Sequence, residues 1–334
     1  MRIAITGGTG FVGRNLAARL DAASSTPAHS AAGATATGVE APAPTVVISR
    51  RTGVSIDDVD ALAEAFAGCD AVAHCAGINR EIGEQTFERV HVQGTRNVIE
   101  AARRAGVKRI VMVSFLRARP DCGSGYHESK WAAEELIRNS GLDYSILKFG
   151  MIYGPGDHMI DHVAKAVRSW PVFGTVGYRE KMVRPVPIDD AVDVLVAALE
   201  GRIAEPTVAV MGAEELELGA AVRRIAQVAG RKPLYVPLPV WSIRVLAQLT
   251  EWTMVTPLVA KAQARMLGEG VSEAAPPAPE LPVDLRPSRS FDEARIRAAL
   301  PAGKFGASDL RIVRWWRAVE LGQSRQRLRD PSAD

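Results

Sequence analysis

The strongest constraint in this chain lies at its start, where Thr6-Gly7-Gly8-Thr9-Gly10-Phe11-Val12-Gly13 follows a short apolar run at 2–6. A buried-type strand there leads into a glycine turn, and residues 11–20 continue with helical periodicity. Gly8, Gly10 and Gly13 make G-x-G-x-x-G in the strand–turn–helix setting that gives the pattern its meaning. One glycine permits the tight turn, the next lets backbone approach a pyrophosphate, and Gly13 lets the helix pack closely on the strand. The helix N-terminus adds unpaired N–H groups and partial positive charge. The turn predicts a dinucleotide site; a ligand-free glycine turn is the alternative.

The rest of the first half repeats the theme. TVVIS at 45–49, DAVAH at 70–74, KRIVMV at 108–113 and DYSILK at 143–148 read as strands, with helices over 87–105 and about 126–140. Strands alternating with helices predict an α/β fold, a Rossmann-type doubly wound parallel sheet over residues 1–155. Residues 22–44, rich in Ala, Ser, Thr, Gly and Pro without an apolar period, read as a disordered insertion on a surface loop. Residues 156–320 read as a smaller C-terminal, substrate-side domain with some elements returning to the sheet, and 321–334 as a tail. That half has a helix at 158–169, a helix opening at Asp189-Asp190 that these acids cap, a strand at 206–211 and a helix at 217–229. Residues 272–290 read as an extended surface segment.

Composition narrows the function class. A formal net charge of +3 on 334 residues, without any nucleic-acid-binding motif, argues against DNA or RNA as partner. Cys69, Cys75 and Cys122 have neither paired nor metal-ligand spacing, which fits a reduced, cytoplasmic setting. The start lacks the features of a signal peptide, and no long uncharged apolar stretch predicts a transmembrane helix. His158 and His162 share a helix face at i, i+4, but no third ligand accompanies them, so no metal is expected.

Cofactor choice is read after the second strand, where an acid would bind the ribose 2′-OH of NAD. Here Ser49-Arg50-Arg51 stands instead, and two guanidinium groups suit a 2′-phosphate. NADPH is favoured, with NAD as the alternative; solvated arginines at a strand end are the plainer reading.

With these features in hand, the chain resembles the extended or atypical short-chain dehydrogenases/reductases. TGGTGFVG at 6–13, HCAG at 74–77, GTRNVIEAA at 94–102, VMVS at 111–114, YHESKWAAEE at 126–135, LDYSILKFGMIYGPGD at 142–157 and VRPVPIDDAV at 183–192 carry the likeness. It is most similar to NAD-dependent epimerase/dehydratase proteins, and residues 211–239 and 256–271 resemble the dehydrogenase-like accessory subunit of respiratory complex I. The resemblance implies that Gly7, Thr9, Gly10, Phe11, Val12 and Gly13 surround the pyrophosphate. It places Ser49, Arg50, Arg51, Ser55 and Ile56 at the adenosine, and Ala76, Gly77, Lys130 and Phe149 along the rest of the cofactor. Three positions depart from the family pattern: Ser55 where an Asp is frequent, His91 where Asn is common, and Lys148-Phe149 in place of Arg-Pro.

Tyr126 and Lys130 lie at i, i+4 on one helix face. A lysine cation beside the phenol favours the phenolate and predicts a Tyr126 pKa lowered toward neutrality. Ser114, at a strand end twelve residues earlier, suits the polarising of a substrate carbonyl or hydroxyl, and the three stand in the superfamily's triad positions. Met151 and His158 are expected on the substrate side. The expected function is hydride transfer on a carbonyl or alcohol, or epimerisation through transient oxidation, with the substrate unread. The rival is a non-catalytic NADPH-binding structural, assembly or sensing protein. The apolar stretch 236–249 with Trp252 reads first as core and second as a face for a membrane or partner; the basic C-terminal helix with Trp315 and Trp316 leaves a peripheral lipid contact open. Oligomeric state is not legible.

Overall fold

The computed structural model describes residues 1–25, 45–176, 181–253, 268–306 and 309. Most of the low-complexity insertion, much of the 256–271 stretch, and Trp315 and Trp316 lie outside the described residues. In chain order the first half runs β1 (Ile3–Thr6), α1 (Phe11–Ser25), β2 (Val46–Ile48), α2 (Val59–Phe66), β3 (Ala71–His74), α3 (Gly94–Arg104), β4 (Arg109–Phe115), α4 (Gly125–Arg138) and β5 (Asp143–Phe149). The second half adds β6 (Ile152–Tyr153), α5 (His158–Ser169), β7 (Val172–Val176), β8 (Met182–Val183), β9 (Val186–Pro187), α6 (Ile188–Leu199) and β10 (Thr207–Val210). Then come β11 (Leu216–Glu217), α7 (Leu218–Val228), β12 (Leu234–Leu238), α8 (Val240–Thr253) and α9 (Glu293–Ala299). The expected helix over 87–105 enters α3 through a π-helical stretch, Glu88–Gln93.

Six strands form one sheet in the order β10-β5-β4-β3-β1-β2, and each adjacent pair is parallel. β1 connects outward to β2 on one side and neighbours β3 on the other, so strand order reverses between β1 and β3, where α/β sheets open a binding crevice. Strand residues alternate between two buried faces, as a sheet covered on both sides requires. Ile5, Ala73, Val111, Leu147 and Val208 pack with Leu16 of α1 and Leu195 of α6. Ala4, Val72, Ile110, Met112 and Ile146 pack with Leu62 of α2, Val98 of α3 and Ala133 of α4 on the other side. A third cluster joins Ile160 of α5, Ile225 of α7 and Ile296 of α9 around Tyr153 and Phe291.

Two expectations are corrected. The 272–290 stretch is anchored: Glu280 bridges Ala209 of β10, the Ala209 N–H donates to the Pro279 carbonyl at 2.7 Å, and Leu281 is buried against the sheet. The exposed edge of β10 would otherwise carry unpaired backbone groups. Asp189 and Asp190 do not cap α6, whose N-cap position is Pro187. Buried Asp190 instead accepts the N–H groups of Ser288 and Arg289, both at 3.0 Å, and binds the Arg289 guanidinium.

Candidate active site

The carboxyl ends of the central strands line a cleft of about 1220 Å3. Gly7, Thr9, Gly10, Phe11 and Val12 form its floor where β1 turns into α1. Gly7 sits at φ +67°, and a Cβ there would lie 2.7 Å from the Ala76 Cα, so the turns after β1 and β3 touch through the missing side chain. Gly13 lies behind the turn: its Cβ would stand 2.4 Å from the Gly7 carbonyl oxygen, so its absence brings α1 against the turn. Bare backbone at the N-terminus of a helix fits the phosphates of a dinucleotide.

Ser49, Arg50, Arg51, Ser55 and Ile56 line one end. Ser49 caps a single 3-10 turn, accepting from the N–H groups of Arg51 and Thr52, and thereby sets where both arginines start. Arg50 donates to Gln85 Oε1 at 2.9 Å. Ser55, the expected replacement for a family acid, donates to Asp57 Oδ2 at 3.1 Å. Asp57 also lines the cleft and accepts Nε and Nη2 of Arg89 at 3.2 and 3.1 Å. The sequence reading missed both, because 32 residues separate the partners.

Ser114, Tyr126, Lys130, Ala76, Gly77 and Phe149 meet toward the other end, with Met151 and His158 beyond. Lys130 Nζ donates to the Val113 carbonyl at 3.2 Å and lies 3.1 Å from where Gly77 would carry a Cβ. Burial lowers its pKa to about 8. Tyr126 differs from expectation: burial pushes its phenol pKa up from the ordinary value, and nothing offsets it, so the phenol stays protonated at neutral pH. Ser114 donates its hydroxyl to Oε1 of buried Glu134 at 2.5 Å. Glu134 accepts Arg138 Nη2 at 2.8 Å and lies 3.4 Å from Lys148 Nζ, which also donates to the Ala118 carbonyl at 3.0 Å. The Lys148-Phe149 departure thus splits: Lys148 closes this buried ion pair while Phe149 faces the cleft.

Two buried histidines stiffen the wall behind. His91 Nε2 accepts the Ile78 N–H at 3.0 Å, so its Nδ1 carries the proton and donates to Ser129 Oγ at 2.8 Å. Thr95 Oγ1 donates to the His91 carbonyl, so His74 Nε2 donates to Thr95 at 3.0 Å and His74 Nδ1 accepts from Thr6 Oγ1 at 2.7 Å. Burial, then the Lys130 charge, lowers the His74 pKa to about 3 and holds that of His91 well below the usual range. At the start of α5, Asp157 is the N-cap, accepting Ile160 N–H at 2.8 Å, and burial raises its pKa to about 6. His158 is the next residue and lines the cleft rather than capping.

Comparison with known proteins agrees with this geometry. Residues 7–168 match the model of a family described as NAD(P)H-binding. The UPF0659 protein YMR090W of Saccharomyces cerevisiae is 33% identical over 160 residues, 46% of this chain and 70% of that protein. The chain belongs to this NAD(P)H-binding family. Two further relatives are 30% identical to this NAD(P)H-binding chain. The uncharacterized protein Rv2047c of Mycobacterium tuberculosis aligns over 243 residues, 72% of this chain. A ceramide reductase of Caulobacter vibrioides aligns over 194 residues, 57% of this chain. The chain spans 24% of the length of the mycobacterial protein and 60% of that of the ceramide reductase. The fold is that of a UDP-glucuronic acid 4-epimerase from Bacillus cereus solved with NAD, with TM-score 0.60 and 17% identity over 89% of this chain and 97% of that one.

Proposed function

We propose that this chain is an NADPH-dependent oxidoreductase or epimerase that works on a carbonyl or alcohol carbon, with Tyr126 exchanging the proton. The observation that carries the reading is that Tyr126 and Lys130, one turn apart on α4, line the same cleft as the Gly7–Val12 turn. Gly7, Thr9, Gly10, Phe11 and Val12 would hold the pyrophosphate, with Gly13 keeping α1 in place. Ser49, Arg50, Arg51, Ser55 and Ile56 would hold the adenosine and its 2′-phosphate; Ala76, Gly77, Lys130 and Phe149 would flank the nicotinamide. When bound, the cofactor supplies or removes the hydride.

The protein's own part is the proton. A phenol kept neutral by burial is an acid, so Tyr126 gives its proton to the carbonyl oxygen as that carbon is reduced. Ser114, whose proton is taken by Glu134, keeps its oxygen as an acceptor for the substrate hydroxyl. Met151 and His158 would face the substrate. The names of a relative, a reductase, and of a fold neighbour, an epimerase, support the same chemistry.

Titration of the full chain with NADPH and NADH, read by nucleotide fluorescence, tests the cofactor; NADPH should bind at least tenfold tighter and Arg50→Ala should erase the difference. Tyr126→Phe should abolish carbonyl-dependent NADPH oxidation and leave NADPH affinity within about twofold; full activity in that variant ends the mechanism.

A second reading has one observation in its favour. Ser114 spends its proton on Glu134, so it cannot also donate to a substrate carbonyl. A cofactor-holding structural or sensing protein, in line with the narrower complex I likeness, would need no such donor. Tight NADPH binding with no oxidation across a panel of aldehydes and ketones would favour it.

A further inference from the structure

We infer that the substrate is a carbonyl or alcohol carrying a long hydrocarbon chain, and that the protein takes it from the surface of an anionic lipid bilayer against which α8 and the β7–β12 edge dock. This rests on the reading of the cleft as a site of carbonyl or alcohol chemistry.

The first observation is the far arm of the cleft. Beyond Met151 it is walled by Val163, Phe173, Tyr235, Pro237 and Leu238, the lining of an apolar ligand site. Two cations, Arg223 and Lys181, stand among this lining, and Arg223 faces Glu217 at 3.8 Å.

The second is how that arm ends. Trp170, Val172 and Leu246 line the cleft and are also exposed, at 42%, 48% and 37%. Leu234 pairs in register with Val172 and is 65% exposed, which extends the rim outward along the two-stranded edge. On α8, exposed Trp241, Val245 and Leu249 recur at i, i+4 and i+8, while Ala247 and Thr250 are buried. Among the described side chains of this helix the large apolar ones therefore turn outward and the small ones inward, the reverse of an ordinary surface helix. A contiguous apolar rim opening into an apolar arm is a route for a hydrocarbon chain that never crosses water.

The third is charge. Arg231 and Lys304 share a shallow hollow beside this rim with Arg168, which donates to the Pro301 carbonyl at 2.6 Å: Trp170 directly follows α5, which ends at Ser169, and packs on Phe305 at 5.6 Å between ring centroids. Lys232 stands two positions before Leu234 and is exposed. Apolar side chains flanked by cations match the acyl boundary and headgroups of an anionic bilayer.

Flotation of the full chain with vesicles of phosphatidylglycerol and phosphatidylcholine tests the docking. The protein should float with these, tenfold less with phosphatidylcholine alone, and tenfold less when Trp241→Glu and Leu249→Glu are combined. Neither residue lines the cleft and both are exposed, so the double variant should keep its melting temperature. Equal flotation of the variant, or none of the parent, overturns the docking. For the substrate class, the NADPH-loaded protein is tested for thermal stabilisation by 2-butanone, 2-dodecanone and UDP-glucose. A shift with 2-dodecanone at a concentration at least tenfold below that needed for 2-butanone, and none with UDP-glucose, supports the proposal; a shift with UDP-glucose alone overturns it. Stabilisation by 2-dodecanone without NADPH oxidation would count against hydride transfer and leave this inference standing.

Discussion

Ser114 donates to Glu134 at 2.5 Å, tying the cleft to a carboxylate that has no exposed surface. Glu134 is shared by Arg138 and Lys148, whose own side chain is 2% exposed and whose pKa burial lowers. Removing the acid leaves a buried cation uncompensated. Glu134→Gln should therefore cost about 3–5 kcal/mol in urea denaturation. Ser114→Ala removes one hydrogen bond to a charged group and should cost about 1.5–3 kcal/mol. A Glu134→Gln variant within about 1 kcal/mol of the parent would mean that the ion pair does not form.

Lys130 makes stability depend on pH in a definite direction. Burial lowers its pKa from 10.5 to about 8, so between those values the unfolded chain binds the proton that the folded one has lost. Stability then rises with pH across that window, by on the order of 3 kcal/mol in all, and the penalty is fully present below pH 8. Lys130→Met should remove this rise: the parent's stability relative to the variant should climb from pH 8 to pH 10. A difference flat with pH would show that Lys130 is not desolvated.

The acid side belongs to His74 and His91. Both are neutral and internally hydrogen-bonded in the folded state, with the His74 pKa lowered from 6.5 to about 3. Below pH 6.5 the unfolded chain takes up protons that the folded chain refuses, so stability falls as pH drops toward 3. For His74 alone the loss is on the order of 4 kcal/mol. His74→Gln should flatten the fall between pH 6.5 and 4, measured by urea midpoints, whatever it costs at pH 7. An unchanged acid slope would refute the assignment.

Much of the fold and part of the site were legible in the sequence, and the division has physical causes. Gly7–Gly13 is a contiguous turn whose spacing is dictated by backbone geometry, and the alternation of buried strands with helices fixes a parallel sheet before any contact is known. Asp57, Arg89 and Glu134 were not read as site residues, and His91 stood out only as a departure from the family's Asn, because the contacts that matter are joined only by folding: Asp57 to Arg89 across 32 residues, His91 to Ser129 across 38, Ser114 to Glu134 across 20. The Tyr126 pKa went the other way from expectation because i, i+4 spacing reveals a neighbouring lysine but not the burial that alone raises it. Leu281 was read as surface because Pro and Ala crowd its segment, although a single apolar anchor suffices to bring such a stretch onto a sheet.

Gly7 gives the sharpest test of the cradle. At φ +67° an alanine would cost about 1 kcal/mol in backbone conformation alone. Its Cβ would also press on the Ala76 backbone at 2.7 Å, which cannot swing aside as a side chain can. Gly7→Ala should lower the melting temperature and weaken NADPH binding at least tenfold, whereas Gly53→Ala, at positive φ but with nothing within 4 Å, should cost stability with little effect on binding. Equal binding losses in the two variants would mean that the close approach of the two turns plays no part.

Asp190 holds a different seam. It accepts the N–H groups of Ser288 and Arg289 and binds the Arg289 guanidinium, which also reaches Asp193 at 2.9 Å. These bonds fix the far end of the segment whose near end, at Pro279 and Glu280, covers the edge of β10. Asp190→Ala leaves two backbone donors without their acceptor in a partly buried place, at about 1–3 kcal/mol, and loosens the cover. Limited proteolysis should then cut between residues 279 and 290 several times faster, while NADPH affinity stays within about twofold because none of these residues lines the cleft. Asp190→Asn keeps one acceptor oxygen for the two N–H groups but loses the charge, so it should fall between parent and alanine variant. Cleavage unchanged in Asp190→Ala would place the anchoring of this segment in Leu281, through its burial against the sheet, rather than in the carboxylate.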